Sequence, residues 1–396
     1  MIHKLGKPDT EITSYRPISL LPIASKIFER LLLKRVTAIA PISTLIPNHQ
    51  FGFRTGHSTV QQCHRVVRYI TEAIEEKKVC AAVFLDIQQA FDKVWHAGLL
   101  YKIKKRLPNQ IYLLLKSYLS ERSFQVRINT DVSSIRNINS GVPQGSVLGP
   151  FLYLIYSADL PTTGNTVLAT FADDTAILTA NHNPITASAN LQNHINLLQQ
   201  WFHKWRMSIN NEKSVQITFT NRRTTCPQIT INNSNIPINT EVKYLGLYLD
   251  QKLTWRTHIK KKRQQLTLKE RQLRWLLGKR SQLSLENKTL LYKALLKPIW
   301  TYGIELWGCA RPSNTKILQT FQSKTLRRIT GAPWYVTNRT THNDLNIPFI
   351  TEEIRKHATR HRTRITGHEN PLIVELTKPH PAARRLRTTW PEDLYN

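Results

Sequence analysis

The chain has 396 residues, 40% of them apolar, with only 14 Gly and 20 Pro. That is enough for two or three domains with a substantial core, and it excludes a disordered or fibrous chain. Against 26 Asp and Glu stand 56 Lys and Arg, a formal charge of +30. This balance is silent about fold and argues for a polyanionic partner, either nucleic acid or an anionic membrane surface. The membrane reading is the weaker one. The apolar stretch "LYKALLKPIWTYGIELW" is broken by Lys, Pro and Glu short of a spanning length, and "MIHKLGKPDT" lacks the apolar run of a secretory signal. Cys63, Cys80, Cys226 and Cys309 lie far apart without C-x-x-C or Cys/His spacing, which suits a reducing compartment and gives no zinc site.

In chain order, "SLLPIASKIFERLLLKRV" sets Leu20, Ile23, Ala24, Ile27, Phe28, Leu31 and Leu32 on one helical face. The basic, Gly-containing loop "FGFRTGHST" leads into a helix through "VQQCHRVVRYITEAIEE". "VCAAVFLD" is a continuous apolar run of strand length that ends on Asp86, as a strand buried on both faces would. Residues 98–119 read as helix with a break near Pro108, and "SFQVRI" with the region before Gly141 as a short hairpin. The Gly/Pro-punctuated loop "GVPQGSVLGP" runs into the apolar "FLYLIYSADL".

"NTVLATFADDTAILTA" reads as strand, two-residue tip, strand. Next comes an amphipathic helix with Leu191, Ile195, Leu198, Trp201, Phe202 and Trp205 in register. "SVQITF" alternates with period two, "QITINNSNIPI" is a hairpin around residues 232–235, and "VKYLGLYLD" is one further strand. Beyond residue 250 the chain turns to basic helices, and from about 351 to an Arg- and His-rich tail with little apolar periodicity.

Three acidic positions fall at strand ends in a chain that otherwise avoids acid: Asp86, Asp173 and Asp174. Adjacent Asp residues suit a tight turn, and a lone Asp after a strand suits a helix cap. Read together, the three form a carboxylate set of the kind that holds hard divalent cations. Phosphoryl transfer by two Mg²⁺ ions about 3.5–4 Å apart needs such a set. His357 and His361 stand at i, i+4, a spacing open to a metal, but no Cys or carboxylate adjoins them in sequence.

"FLDIQQAFDKVWH", "GVPQGSVLGP", "FADDTAIL", "NNEKS" and "YLGLYLD" occur in the order and at the spacing of the palm motifs of reverse transcriptases. They resemble the non-LTR (LINE-type, jockey-like) retrotransposon enzymes in particular. "SYRPISLLPIASKIFERLL" and "FGFRTGHST" are similar to that family's fingers, so the resemblance covers roughly residues 1–330. It implies an α+β right-hand polymerase fold: partial fingers over 1–78, palm over 79–250, helical basic thumb over 251–345 and a basic C-terminal extension over 346–396. The implied activity is RNA-directed DNA polymerisation on an RNA template and DNA primer with dNTPs and two Mg²⁺, Mn²⁺ being a substitute, in the nucleus.

The implied roles follow the motifs. Asp86, Asp173 and Asp174 would bind metal. Phe91 would be the steric gate against a 2′-hydroxyl; alone it is a core aromatic. Gln144 and Gly145 would lie near the incoming nucleotide, and Lys213 would assist pyrophosphate; alone it is a solvated turn lysine. Tyr244, Leu245 and Gly246 would grip the primer. Arg16 and Arg54 are candidates for template or triphosphate contacts. Asp92 and Trp95 complete a signature with a structural role. Lys260, Lys261, Lys262, Arg263, Arg271 and Arg274 would meet duplex phosphates. The family's fingers begin further upstream and its elements carry an endonuclease, so the chain is expected to be a shortened form. The competing expectation is a non-catalytic nucleic-acid-binding remnant.

Overall fold

The run "VCAAVFLD" becomes β1 (Val79–Ile87), and its composition explains its central place. In the computed structural model, which describes residues 2–3, 6, 8, 10–11, 14–128, 130–378, 385–386 and 388–395, β1 is paired on both edges. β2 (Val167–Phe171), β3 (Asp174–Asn181) and β4 (Ile209–Phe219) complete an antiparallel sheet of order β4-β1-β3-β2. Side chains alternate across a strand, so each face of β1 serves a different core. Val79, Ala81, Val83 and Leu85 join one cluster, while Cys80, Ala82 and Phe84 join another. A strand buried on both faces has no polar alternation to show, which is why its sequence is a continuous run.

Helices cover both faces. α1 (Ile23–Ile39) lies toward the N-terminus, and α2 (Thr59–Glu75) starts from a capping box in which Ser58 and Gln61 bond reciprocally. The first core is completed by α3 (His96–Arg106), α4 (Asn109–Leu119), α5 (Leu148–Ser157) and α6 (Pro184–Lys204). The break between α3 and α4 falls at Leu107–Pro108, where Pro fixes φ and forbids a helical predecessor. The second core takes α2, a hairpin of β5 (Glu241–Tyr244) and β6 (Leu247–Asp250), and the helices that follow: α7 (Arg256–Gln272), α8 (Pro312–Thr330) and α9 (Ile350–Ile365). All four cysteines are free and buried. No helix among the described residues is long and apolar enough to cross a membrane.

Three expectations are corrected. "VKYLGLYLD" is two strands, because Leu245 and Gly246 both take positive φ (44° and 84°) and reverse the chain. Most of the apolar face of α1 points outward: Ile23, Ile27, Phe28 and Leu31 are exposed, while Leu32 is buried and so is Glu29. Glu29 accepts from Val147 N at 2.6 Å, Leu148 N at 3.1 Å and Tyr118 Oη at 3.0 Å, so its carboxylate caps the start of α5. The tail is also built into the body. Ile350, Ile354, Ala358, His361 and Ile365 form a buried helical stripe, disguised in sequence by the Arg and His between them. Beyond it Glu75 of α2 accepts from Arg385 N, Leu386 N and Trp390 Nε1 at 2.7–3.0 Å.

Candidate active site

The β1–β3 register runs from Val79↔Asn181 to Leu85↔Thr175, so Asp86 and Asp174 follow at the same end of the sheet, close enough for Asp86 to raise the Asp174 pKa. Both carboxylates share the face of Phe84 and Ala176. β2 and β3 pair through Phe171↔Asp174, so the two-residue turn is Ala172–Asp173, one residue earlier than the adjacent aspartates suggested, and Asp174 opens β3. Ala172 sits at φ 57°, unfavourable for a residue with a Cβ, and is held there from outside. Buried Gln50 donates from Nε2 to Ala172 O at 3.1 Å, and its Oε1 accepts from Ala172 N and Gly52 N, each at 2.8 Å. Gly52 is required at this clamp, since a Cβ there would lie 2.2 Å from Ala172 N.

The site concentrates negative charge. Partial desolvation, then Asp173 and Asp86, push the Asp174 carboxyl up to about 6 against the pull of Lys243. Asp173 is also raised, by burial first and by Asp86, while its own backbone and Arg16 draw it down. The donors are hard carboxylate oxygens at one end of one sheet, a set that suits a divalent cation. Among the described residues, however, no three His, Cys, Asp or Glu side chains are gathered closely enough to hold a metal ion. The three aspartates share a location without forming a finished cage.

Among the described residues, β4 supplies the cation that pairs with the triad. Its pairing jumps from Asn210↔Asp86 to Val215↔Phe84, so the segment between bulges out of register. Ser214 secures the bulge, donating to Asn210 O at 2.7 Å and accepting from Asp86 N at 3.2 Å. Lys213 on the bulge brings Nζ to 3.7 Å from Asp86 Oδ2. Both side chains are open to solvent, so the pair adds little stability; its interest is position.

Phe91 stacks on Tyr153, with centroids 4.7 Å apart at 20°, and meets exposed Phe53 edge-on at 5.9 Å. Tyr153 is fully buried, its hydroxyl has no hydrogen-bond partner among the described residues, and burial, then Asp173 and Asp174, push its ionisation well above the usual range. Tyr153 thus links Phe91, on which it stacks, to the carboxylates that act on it. The "GVPQG" loop is pinned to "AFDKVW": Val142 N donates to Phe91 O and Gly141 N to Val94 O, both at 2.8 Å. Gln144 Nε2 donates to Asp92 Oδ1 at 2.8 Å, which gives Asp92 its structural part. Gly145, at φ 102°, allows Ser19 to approach, and Ser19 N donates to Gln144 O at 2.8 Å. Arg16 is exposed and close enough to Asp173 to lower its pKa. Arg54 instead donates to Pro47 O and Gln50 O in its own loop. Trp95 is covered by the Arg206 guanidinium 4.2 Å above its ring.

The β5–β6 turn is braced from two sides. Tyr302 Oη donates to Leu245 O at 2.6 Å and is hydrogen-bonded to Thr59 Oγ1 at 2.9 Å, and a Cβ on Gly246 would lie 2.9 Å from the Tyr302 ring. Tyr244 is buried, donating to Ala169 O at 3.3 Å. The cations of α7 divide. Lys260, Lys261, Arg271 and Arg274 are exposed. Lys262 is buried 5.6 Å from the Tyr302 ring, and Arg263 lies over Phe321 and bonds Thr267, so both are committed internally. His357 and His361 do not converge on a metal. His357 lies 3.5 Å from Glu305 and from Glu353, whereas buried His361 faces His64 at 3.0 Å and is pushed down to about 3, chiefly by burial.

Sequence reasoning missed Gln50, Gly52, Tyr153, Lys243 and Tyr302. Gly52 lies in the "FGFRTGHST" loop and Gln50 just before it, but nothing local shows that their partner is Ala172, 122 residues away from Gln50.

An antiparallel sheet with carboxylates at one end of neighbouring strands, a stacked aromatic pair near them and a basic helical layer is an arrangement compatible with the palm of a template-directed nucleotide polymerase. Residues 2–249 match the family model described as reverse transcriptase (RNA-dependent DNA polymerase), and the chain belongs to that family. It is 45% identical over its whole length to a probable RNA-directed DNA polymerase from transposon X-element of Drosophila melanogaster, covering 44% of that protein. It is 42% identical to the RNA-directed DNA polymerase from mobile element jockey of the same organism, covering 45%. The chain therefore spans less than half the length of these curated relatives. A telomerase from Candida tropicalis superposes with a TM-score of 0.43 at 13% identity, covering 90% of this chain and 57% of that one, too loosely to carry an argument.

Proposed function

We propose that the chain is the polymerase core of a non-LTR retrotransposon enzyme and extends a DNA primer 3′-hydroxyl with dNTPs along an RNA template, in the nucleus. The observation that carries this reading is the gathering of Asp86 and Asp174 at one end of neighbouring strands, with Asp173 on the adjoining turn and Lys213 against Asp86. Asp86, Asp173 and Asp174 would hold two Mg²⁺ ions, or Mn²⁺, which when bound would activate the attacking hydroxyl and stabilise the leaving pyrophosphate. The rest falls to side chains. The turn at Leu245 and Gly246, braced by Tyr302, positions the primer end. Phe91, backed by Tyr153, blocks the space a 2′-hydroxyl would need. Arg16 lies where it can meet triphosphate oxygens, and Lys213 can deliver a proton to pyrophosphate. Exposed Lys260 and Lys261 meet phosphates of the template–primer duplex.

A second reading, a nucleic-acid-binding remnant without catalysis, is favoured by the incomplete gathering of the three carboxylates. One experiment separates the two. Wild type and Asp173→Asn are assayed for Mg²⁺-dependent dNTP incorporation on an RNA template, alongside duplex affinity. Incorporation lost in the variant with affinity retained supports the polymerase; wild-type binding without incorporation supports the remnant.

A further inference from the structure

Away from the carboxylates, the helical layer exposes aromatic rings that the polymerase reading does not use. Trp334 is 89% exposed, Tyr335 70% and Trp275 75%. Trp334 and Tyr335 are the central residues of a turn closed by Val336 N donating to Pro333 O at 3.2 Å. Arg327 holds that turn at both ends, donating to Pro333 O and Val336 O, each at 2.6 Å. The two rings are thereby fixed edge-on, 6.0 Å apart at 81°. Large aromatic rings held on a braced turn and left open to water are a surface suited to a partner that stacks on them.

Trp275 shares this end of the layer. Glu270 of α7 accepts from Arg328 and from Thr325 of α8, the latter at 3.1 Å. Gly331, at φ 67°, ends α8 so close to the loop after Trp275 that a Cβ there would lie 3.4 Å from Lys279 Cε. Around the rings, Arg271, Arg274, Lys279 and Arg280 are exposed. Within residues 265–284 and 324–337 the one acidic residue is Glu270, already paired with Arg328.

We propose that Trp334, Tyr335 and Trp275, with these four cations, form a stacking platform for single-stranded nucleic acid. Cations alone would suit any phosphate backbone, but exposed ring faces add a match to unstacked bases, which a duplex does not offer. A lipid surface fits less well, because the rings stand nearly perpendicular on a rigid turn and the flanking surface is charged. α7 starts beside the β5–β6 hairpin, where His258 accepts from Tyr248 N at 3.2 Å, and its 17 residues extend about 25 Å. The platform therefore lies at the far end of α7 from the hairpin, and the proposal does not depend on catalysis.

The test compares wild type, Trp334→Ala/Tyr335→Ala and Trp334→Phe/Tyr335→Phe for binding to labelled oligo(U) and oligo(dT), the two arms separating RNA from DNA. Loss of both stacking rings should weaken binding by at least about tenfold, with the Phe pair largely restoring it and the salt slope unchanged. With 5-bromouracil in the oligonucleotide, crosslinks should map to the tryptic peptide Ile329–Arg339. Exposure of both side chains makes misfolding of the Ala pair unexpected; if its melting temperature nonetheless falls, Trp275→Ala with the same crosslinking decides. Unchanged affinity in the Ala pair, equal loss in the Phe pair, or loss confined to anionic phosphatidylserine vesicles overturns the proposal. Primer extension on a short annealed duplex is the control that keeps this outcome separate from the polymerase reading.

Discussion

Gln50 fastens the turn that carries Asp173, and Gln50→Leu tests whether that clamp matters. The substitution keeps the volume roughly constant and removes three hydrogen bonds, two with Ala172 and one with Gly52. It leaves Ala172 N, Ala172 O and Gly52 N without their partner in a buried place. Each such group costs about 1–3 kcal/mol. Asp173 beside the turn is partly open to water, which can repair some of the loss, so the lower end of the range applies. The expected destabilisation is about 3 kcal/mol. It is read as a fall in the urea midpoint at unchanged slope, with single-turnover incorporation reduced and duplex affinity kept. Gln50→Glu gives an internal check. It retains the acceptor for both N–H groups and regains the missing donor only when protonated, so its deficit should shrink as pH falls. A Gln50→Leu protein with wild-type midpoint and rate would refute the clamp.

Three further outcomes are expected. Phe91→Ala should relax discrimination against rNTPs by roughly 10- to 100-fold while dNTP incorporation persists, measured by competitive extension; retained discrimination would remove Phe91 from the gate. Tyr302→Phe deletes the bonds to Leu245 O and Thr59 Oγ1 and should raise KM for template–primer without altering rNTP discrimination, at a stability cost of about 1–2 kcal/mol. His357 is held up to about 9 by Glu305 and Glu353, and Glu353 is held down to about 2, chiefly by His357 and against its own burial. A raised His pKa adds stability that is complete below about 6.5 and is lost as pH climbs through 9; a lowered Glu pKa adds stability lost as pH falls from about 4.5 toward 2. The difference in unfolding free energy between wild type and His357→Gln should be greatest near pH 5–6.5, roughly 2–3 kcal/mol, and vanish above about pH 10. A difference independent of pH would mean that His357 acts only by packing.

Much of the site could be read in advance because its signals are local. A buried strand has to be apolar throughout, and "VCAAVFLD" satisfies that rule within a few residues; "FADDTAIL" announces a turn between two apolar runs, although its left-handed residue, Ala172, is held there by distant Gln50. The sequence by itself therefore determined the sheet strands, the presence of the turn, the carboxylates at their ends and, through motif order, the family. What it could not express were partners distant along the chain. Leu245 is a poor turn former, and its left-handed backbone is sustained by Tyr302, 57 residues on. The aliphatic face of α1 looked like core, yet most of it is exposed, and Glu29 is buried beside Leu32 and Val36 because its carboxylate caps the start of α5. Lys262 and Arg263 looked like their neighbours Lys260 and Lys261, and only packing against Tyr302 and Phe321 set them apart. Identity of a residue fixes which bonds it can make; tertiary structure decided which of them these residues actually spend.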